Sequence, residues 1–305
     1  MKFTLEYPSE ISTADPALSG PEALSLVSTQ AEHHGFEALC FADHPAPSAK
    51  WRRSGGHDTF EPTVALAFFA AATTSLKLMT NLYVLPFRNP YLAAKALTSL
   101  DIVSGGRLIA AVGAGYLRSE FSALGVDFDQ RPALFDDRLD ALRRIWTTPG
   151  APASGEGFAA HSDMALHAPT QKPHPPIWIG GNSNAAIRRV VKHGVGWCPV
   201  LAPDSLTSSI RTAPLPDLSA FARRMKQLRA ALEDSGRDPD SVAVQVESPS
   251  VDLTDPQSIR RCRERIDELD ALGVTHVCVH ADADSVAAAE DFVFGFGETV
   301  IAAGA

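Results

Sequence analysis

Apolar and polar residues recur along this chain in one repeated unit: an amphipathic helix, a glycine, and then a short apolar run. The unit is visible around Gly35, Gly194 and Gly273, and in a variant around Gly105 and Gly106. A glycine just after a helix takes the left-handed backbone conformation that ends the helix, and the chain then turns back. Strands that alternate with helices in this way predict a parallel sheet covered by helices.

The spacing of the apolar residues places the individual elements. Stripes at helical spacing run from Phe135 to Trp146, from Leu218 to Leu232 and from Ile259 to Leu269. Eight short apolar runs lie between the helices, whereas an open doubly wound sheet usually has about five to seven strands. We therefore predict a single α/β domain over residues 1–305, a (β/α)₈ TIM barrel. The predicted strands are residues 3–7, 37–42, 76–84, 107–113, 176–180, 196–200, 242–248 and 274–280.

Two segments interrupt this rhythm. Residues 148–175 contain five of the 22 prolines and read as an irregular insertion, and residues 201–216 form a second connection rich in Pro, Ser and Thr. Connections of this length in a compact barrel are often lids or substrate walls. An ordinary surface loop is the alternative for each segment.

Composition excludes several classes of protein. A formal net charge of −9 argues against a nucleic-acid partner, which would require a basic face. The four cysteines are far apart and form no CxxC pair, which argues against a disulfide framework or a structural zinc site. The first residues lack an apolar signal region and no apolar run approaches the length of a membrane span, so we expect a cytoplasmic protein with no membrane partner.

The run PPIWIGGNSNAAIRRVV, residues 175–191, predicts an anion site. A strand ends in Gly180 and Gly181, and Asn182 with Ser183 then caps a helix. Free backbone N–H groups and the positive end of the helix meet at such a turn, and glycine lets a ligand approach the backbone. These features favour a phosphate site, although an ordinary strand-to-helix turn has the same pattern.

Asp43 and His44 stand where the second predicted strand ends, in FADHPAP. Polar residues at the carboxyl end of a barrel strand face the active site. A histidine can transfer a proton near neutral pH, and a neighbouring carboxylate can accept a hydrogen bond from its ring. An Asx-type turn before Pro45 is the structural alternative.

Two other patterns are weaker. Gly113 and Gly115 form a GxG, but position 118 is Arg and the third glycine of a dinucleotide-binding fingerprint is missing. His276 and His280 lie on one face of the last strand and, with His44, suggest a metal-dependent hydrolase as an alternative. Histidines on a short strand more often pack or hydrogen-bond, so we expect no metal.

Three blocks of the sequence resemble one family. They are FADHPAP, the central block from Leu100 to Trp146 and the block from Pro175 to Trp197. In these blocks the chain is similar to the luciferase-like monooxygenase superfamily and, within it, to the oxidoreductases that use the deazaflavin coenzyme F420. The resemblance implies a barrel with a tricyclic cofactor lying across the strand ends.

The resemblance also implies roles for individual residues. Asp43 and His44 match a pair that lies beside the redox-active ring, where we expect His44, oriented by Asp43, to transfer a proton. The segment TNLYVLPFRNP matches one that carries a non-proline cis peptide behind the ring, here Asn81–Leu82. The cofactor-binding residues implied in this way are Asp43, Asn81, Leu82, Ala114, Gly115, Tyr116, Gly180, Gly181 and Asn182, the last three near the phosphate.

The first functional hypothesis is an oxidoreductase that transfers a hydride between coenzyme F420 and a small organic substrate. An FMN-dependent monooxygenase is the alternative, since both cofactors share the phosphate site and the ring position. A non-catalytic flavin-binding protein is a further alternative. Substrate contacts are expected from residues 45–60, 148–175 and 201–216, and the resemblance implies a homodimer formed through barrel helices.

Overall fold

The strands of this protein close into a barrel in the computed structural model, which describes residues 1–8, 15–148, 150–248 and 250–304. Eight parallel strands form the ring in the order β1, β2, β3, β5, β8, β9, β10 and β11, and β11 pairs again with β1. The strands are β1 (Lys2–Glu6), β2 (Ala38–Phe41), β3 (Lys77–Thr80), β4 (Tyr83–Val84), β5 (Leu108–Gly113), β6 (Ser154–Gly155), β7 (Phe158–Ala159), β8 (Ile177–Gly180), β9 (Gly196–Cys198), β10 (Ala243–Glu247) and β11 (His276–His280).

Every predicted strand segment contains a strand of the ring, so the predicted TIM barrel is confirmed. The third segment is divided in two: β3 belongs to the ring, and β4 continues beyond it to pair with the end of β5. The break falls at Asn81 and Leu82, whose peptide bond is cis, as the resemblance implied.

The helices cover the outside of the ring. They are α1 (Pro21–His33), α2 (Ala49–Arg53), α3 (Pro62–Ala72), α4 (Pro90–Val103), α5 (Arg118–Ala123), α6 (Arg131–Thr147), α7 (Asn184–His193), α8 (Asp204–Ser209), α9 (Leu218–Asp234), α10 (Pro256–Ala271) and α11 (Val286–Phe296), which continues as a π-helical turn, Gly297–Ile301. Short 3₁₀ helices are Pro16–Ser19, Leu85–Phe87, Phe128–Gln130, Pro239–Ser241 and Ala302–Gly304. No helix in these described ranges combines the length and apolarity needed to span a membrane.

Burial of the helical stripes explains how the layers hold together. In α6, Phe135, Leu139, Leu142 and Trp146 are all buried, so this predicted stripe is confirmed, and the stripes of α9 and α10 are buried over most of their length. Removing such side chains from water stabilises the layer between strands and helices by about 1.5–3 kcal/mol each. The barrel interior is a separate, smaller core of Ala38, Cys40, Met79, Ile109, Ala111, Trp178, Cys198 and Cys278.

One of the helix-ending glycines behaves differently from the others. Gly35, Gly105, Gly106 and Gly273 have the expected positive φ, but Gly194 has a φ of −84°. A Cβ there would come within 3.1 Å of the Ile179 side chain and of the backbone of Val190 in α7, so close packing is the reason for glycine at 194. The prediction of a left-handed stop was therefore wrong at this position.

The two insertions have different places in the fold. Residues 150–175 form the small β6–β7 hairpin and lie on the outer helices, where the Tyr91 hydroxyl accepts a hydrogen bond from the Ala153 N–H at 2.9 Å. None of these described residues lines the large cavity at the strand ends. The prediction that this insertion is a lid or substrate wall was wrong, whereas residues 201–216 do contribute to the cavity wall.

Candidate active site

A cavity of about 550 Å³ opens at the carboxyl ends of the barrel strands. In barrels of this kind the active site lies at this face, because the loops that follow the strands converge there. Every strand of the ring contributes residues at or just beyond its end, and those of β3 are Asn81 and Leu82. Lining residues include Glu6, Asp43, His44, Asn81, Leu82, Ala114, Gly115, Tyr116, Glu120, Gly180, Gly181, Ser183, Cys198, Gln245, Cys278 and His280.

His44 is held from both ring nitrogens. Its Nδ1 lies 3.2 Å from Oε2 of Glu120, and its Nε2 lies 3.3 Å from the Tyr116 hydroxyl. The other oxygen of Glu120 accepts from the Ala46 N–H at 3.3 Å. Because a carboxylate accepts but does not donate, these contacts place the ring proton on Nδ1 and leave Nε2 to accept from the Tyr116 hydroxyl. This arrangement is suited to general acid–base chemistry.

Glu120 was missed from the sequence. It lies in the first turn of the short helix α5 and is 1% exposed. A buried carboxylate needs a partner, so a glutamate placed directly before a core phenylalanine, Phe121, after the end of β5 was the available signal. The run GYLRSEF contains this glutamate, but nothing in the run indicates its contact with His44, which is 76 residues away.

Asp43 does not orient His44, and that expectation was wrong. Its carboxylate pairs with the guanidinium of Arg88 at 2.5 and 2.9 Å and accepts from the Val84 N–H at 2.8 Å. Both carboxylate oxygens of Asp43 therefore accept hydrogen bonds from the segment that follows β3. Asp43 lines the cavity and ties the end of β2 to the neighbourhood of the cis peptide.

Two further aromatic rings pack near His44. The ring centroids of Trp51 and His57 lie 4.6 and 4.9 Å from that of His44. Burial, and to a smaller extent the charges of His44 and His280, lowers the pKa of His57 to about 4. His57 is therefore a neutral imidazole at pH 7, and it is the residue of the predicted 45–60 region that lines the cavity.

Leu82 lies on two glycines at the side of the cavity. A Cβ on Gly180 would come within 1.9 Å of the Leu82 side chain, and one on Gly113 within 3.1 Å. Glycine at 180 makes room for Leu82, which corrects the interpretation that it lets a ligand approach the backbone. Gly115, with a φ of 75°, lies under Val84 and Phe121 in the same way. Ala114 and Tyr116 beside it line the cavity as the resemblance implied.

The turn after β8 supplies an anion-binding geometry, although with other residues than expected. Asn182 is fully buried: its side chain bonds to the backbone of Val200 and Ala213, and its N–H donates to the Thr212 hydroxyl at 3.0 Å. It is a structural residue and does not line the cavity. Ser183 caps α7, and Ala185 in its first turn faces the cavity.

Positive charge adds to the same end of the cavity. The first N–H groups of α7 have no acceptors inside the helix, and the helix dipole makes this end positive. Arg131, Arg189 and Arg211 line the adjacent wall. Arg189 is neutralised by Asp136, which accepts from it at 2.6 and 3.0 Å. The donors present here therefore fit a phosphate.

The suggested metal site is not assembled. His276 stands at the opposite end of β11 from His280, buried against Trp178, so His44, His276 and His280 cannot share an ion. Three other residues lie close together: a carboxylate oxygen of Glu6, the Sγ of Cys278 and a ring nitrogen of His280 are within 4.8 Å of one another. Within it, His280 Nδ1 and Glu6 Oε2 form an acid–imidazole pair at 3.3 Å.

The fold and the cavity together define an α/β-barrel protein with a ligand site at the strand ends. The family model described as luciferase-like monooxygenase matches residues 1–261, and the chain belongs to this family.

One of the individual sequence relatives has a cofactor in its name. An FMNH₂-dependent dimethylsulfone monooxygenase of Pseudomonas putida is 31% identical over 160 residues, which are 51% of this chain and 42% of that protein. An uncharacterised protein of Sinorhizobium fredii is 31% identical over 169 residues, 53% of this chain and 44% of its own length. The matched part of this chain thus spans less than half the length of these curated relatives.

Solved structures share the fold at lower identity. The monooxygenase RslO1 from Streptomyces bottropensis superimposes with a TM-score of 0.81 and 19% identity, with full coverage of both chains. The coenzyme F420-dependent tetrahydromethanopterin reductase from Methanopyrus kandleri gives a TM-score of 0.72 and 15% identity, with 99% coverage of each chain.

Proposed function

We propose that this protein is an oxidoreductase that uses coenzyme F420 to transfer a hydride to or from a small organic substrate. The observation that carries the proposal is the His44–Glu120–Tyr116 arrangement, which shares one cavity with a helix N-terminus suited to phosphate. Family membership supports a flavin-type cofactor, and the F420-dependent reductase supports the deazaflavin among those cofactors.

The cofactor would be held at two places. The phosphate would lie at the first turn of α7, near Gly181, Ser183 and Ala185, rather than on Asn182. The tricyclic ring would lie against the segment Asn81–Leu82, which Asp43 and Arg88 hold in place. Once bound, this group supplies the hydride chemistry, and the barrel orients it and limits its access to water.

His44 would move the substrate proton. Its Nε2 accepts from the Tyr116 hydroxyl, and both side chains line the cavity, so Tyr116 could relay a proton between Nε2 and the substrate or orient a substrate oxygen. Glu120 fixes the ring tautomer and stabilises the positive ring that forms when Nε2 accepts a proton. Neutral His57 keeps a second positive charge away from this ring at pH 7.

An FMN-dependent monooxygenase is the second candidate, because the sulfone monooxygenase of Pseudomonas putida is named for reduced FMN. A non-catalytic flavin-binding protein would have no use for a buried carboxylate that fixes the tautomer of a cavity histidine. The substrate side of the cavity includes Leu206 and Ile210 of the 201–216 segment, so we propose a small and partly apolar substrate.

The test is a titration of the purified protein with F420 and with FMN, each followed by fluorescence quenching. We expect F420 to bind, and His44→Ala to keep that affinity while turnover with a panel of alcohols, ketones and aldehydes falls about 10²–10⁴-fold. Binding of FMN alone, with oxygen uptake after reduction, would favour the monooxygenase. Full turnover by His44→Ala would remove His44 from the mechanism.

We also propose a homodimer that buries the outer face of α3 and α4. Val64 on α3 and Leu92 on α4 are 69% and 70% exposed, and Phe68 is also exposed. Apolar side chains grouped on neighbouring helices favour association. Light scattering on the wild type and on Phe68→Glu tests this arrangement, and a monomeric wild type would exclude it.

A further inference from the structure

Three arginines from separate elements surround one aromatic ring at the edge of the cavity. The guanidinium carbons of Arg118, Arg131 and Arg211 lie 4.2, 3.9 and 5.3 Å from the ring centroid of Phe128. Arg118 begins α5, Arg131 begins α6 and Arg211 follows α8. Their stacking on the ring fixes the three charges close together, because guanidinium groups bind aromatic faces favourably.

The cluster carries more positive than negative charge. Asp129 accepts from Arg118 at 2.9 Å, and the hydrogen bond from Arg118 is the main reason why the pKa of this exposed carboxyl is lowered. The Asp127 carboxylate, on the other side of Phe128, accepts from the Asp129 N–H at 2.9 Å. Two carboxylates for three guanidinium groups leave about one positive charge, in a chain whose formal net charge is −9. Like charges held this close repel one another, so the grouping favours an anion as its complement.

The end of helix α8 places Arg211 at the cavity. The N–H groups of Arg211 and Thr212 donate to the carbonyl oxygens of Ser208 and Thr207, at 3.2 and 2.9 Å, and Arg211 has a φ of 55°. A left-handed residue with these two hydrogen bonds is a common way for a helix to end. The side chain of this residue lines the cavity, as does that of Arg131.

The arginine cluster shares a cavity wall with the phosphate-binding turn but lies on different elements. Ala185 and Ala186 of α7, Pro132 of α6, and the two arginines Arg131 and Arg211 all line that wall. A ligand that ends in one phosphate would be satisfied by the helix N-terminus. A ligand that continues beyond its phosphate would meet the arginines next.

We infer that Arg118, Arg131 and Arg211 form a second anion site, which takes carboxylate or phosphate groups on an extension of the cofactor beyond its first phosphate. The inference rests on the proposed function and deepens it. The deazaflavin cofactor continues past its phosphate into a tail that carries carboxylates, whereas FMN ends at the phosphate. The cluster therefore selects the longer cofactor by charge.

The test compares three ligands on the full-length protein: F420, deazaflavin riboside 5′-phosphate (which lacks the tail), and FMN. Dissociation constants are measured by fluorescence quenching for the wild type, Arg118→Gln, Arg211→Gln and the double variant. The matched control is Arg229→Gln, since Arg229 pairs with Asp240 on the exposed outer surface. A repeat at higher salt measures the charge contribution.

We expect the wild type to bind F420 at least about tenfold more tightly than the riboside phosphate. Each arginine substitution should weaken F420 binding about threefold to fivefold, as for a partly exposed ion pair, and should weaken binding of the two ligands without a tail by less. The Arg229 variant should match the wild type. The preference for F420 should shrink as salt rises.

Each other outcome counts against the inference. Equal affinities for F420 and the riboside phosphate, or variants that keep the preference, overturn it while leaving the proposed oxidoreductase intact. Failure of all three ligands to bind would overturn the proposed function itself.

Discussion

Replacing Glu120 by glutamine exchanges one oxygen of the group that holds the His44 ring, and two contacts determine the result. The native carboxylate accepts from His44 Nδ1 at 3.2 Å and from the Ala46 N–H at 3.3 Å. A glutamine has one acceptor oxygen, so it can serve only one of these groups and presents its NH₂ to the other. The backbone N–H of Ala46 can only donate a hydrogen bond, whereas Nδ1 of the imidazole can either donate or accept.

The favourable arrangement in the variant therefore turns the amide oxygen toward Ala46 and the NH₂ toward His44. Nδ1 then accepts, the ring proton moves to Nε2, and Nε2 donates to the Tyr116 oxygen. In that tautomer Nε2 can no longer accept a substrate proton. Because a positioned acid–base group contributes about 10²–10⁴-fold to a rate, we expect turnover to fall by that factor, equivalent to about 3–5 kcal/mol of barrier.

Two measurements check this reasoning. Nitrogen NMR of histidine-labelled protein distinguishes the two tautomers of His44 directly, and steady-state kinetics give the loss of turnover. F420 affinity should change little, and Glu264→Gln on the exposed face of α10 serves as the control. A variant that keeps the Nδ1 tautomer, or that switches tautomer with full turnover, would refute the argument.

Three further predictions follow from buried contacts. Gly180→Ala places a methyl group 1.9 Å from the Leu82 side chain, so we expect F420 affinity to fall at least about tenfold by titration; an unchanged affinity would show that the ring does not rest there. Asn182→Ala removes three side-chain hydrogen bonds at a fully buried site and should cost about 3 kcal/mol of unfolding free energy in urea, whereas a loss of cofactor affinity at unchanged stability would return Asn182 to the phosphate site. Burial lowers the pKa of His276 to about 4. The unfolded chain therefore binds a proton at this residue below about pH 6.5, and the free energy of unfolding falls as the pH is lowered from there toward 4. The wild type should lose about 2 kcal/mol more than His276→Gln between pH 7 and 5, and equal losses would contradict this.

The barrel could be predicted from sequence because its signals are local. Each strand is a short apolar run between turn residues, and the stripe from Phe135 to Trp146 repeats at the spacing of a helix that is buried on one side. Such periods report burial directly. The cis bond and the positions of Ala114 and Tyr116 came from the resemblance, since no local pattern specifies them.

The contacts inside the site could not be predicted, because they join residues that are distant along the chain. Asp43 is the nearest carboxylate to His44 in sequence, yet the strand direction turns it toward Arg88, 45 residues away. Glu120 reaches His44 from α5 instead. Asn182 was predicted to bind phosphate because the same residue types cap helices and bind phosphate. Its complete burial shows that it has the structural role. The prediction that residues 148–175 form a lid or substrate wall was wrong for a similar reason, because the length of a loop does not indicate which side of a barrel it covers.

The anchoring of residues 200–213 by Asn182 has a consequence for how this scaffold can acquire new substrates. One side chain fixes both ends of the segment, through Val200 and Ala213, so the chain between these two points starts and finishes at the same place whatever its composition. The residues of helix α8 can therefore be replaced without moving Val200 and Ala213. Substitutions within it would reshape the cavity without disturbing His44, which follows β2, or Tyr116 and Glu120, which follow β5.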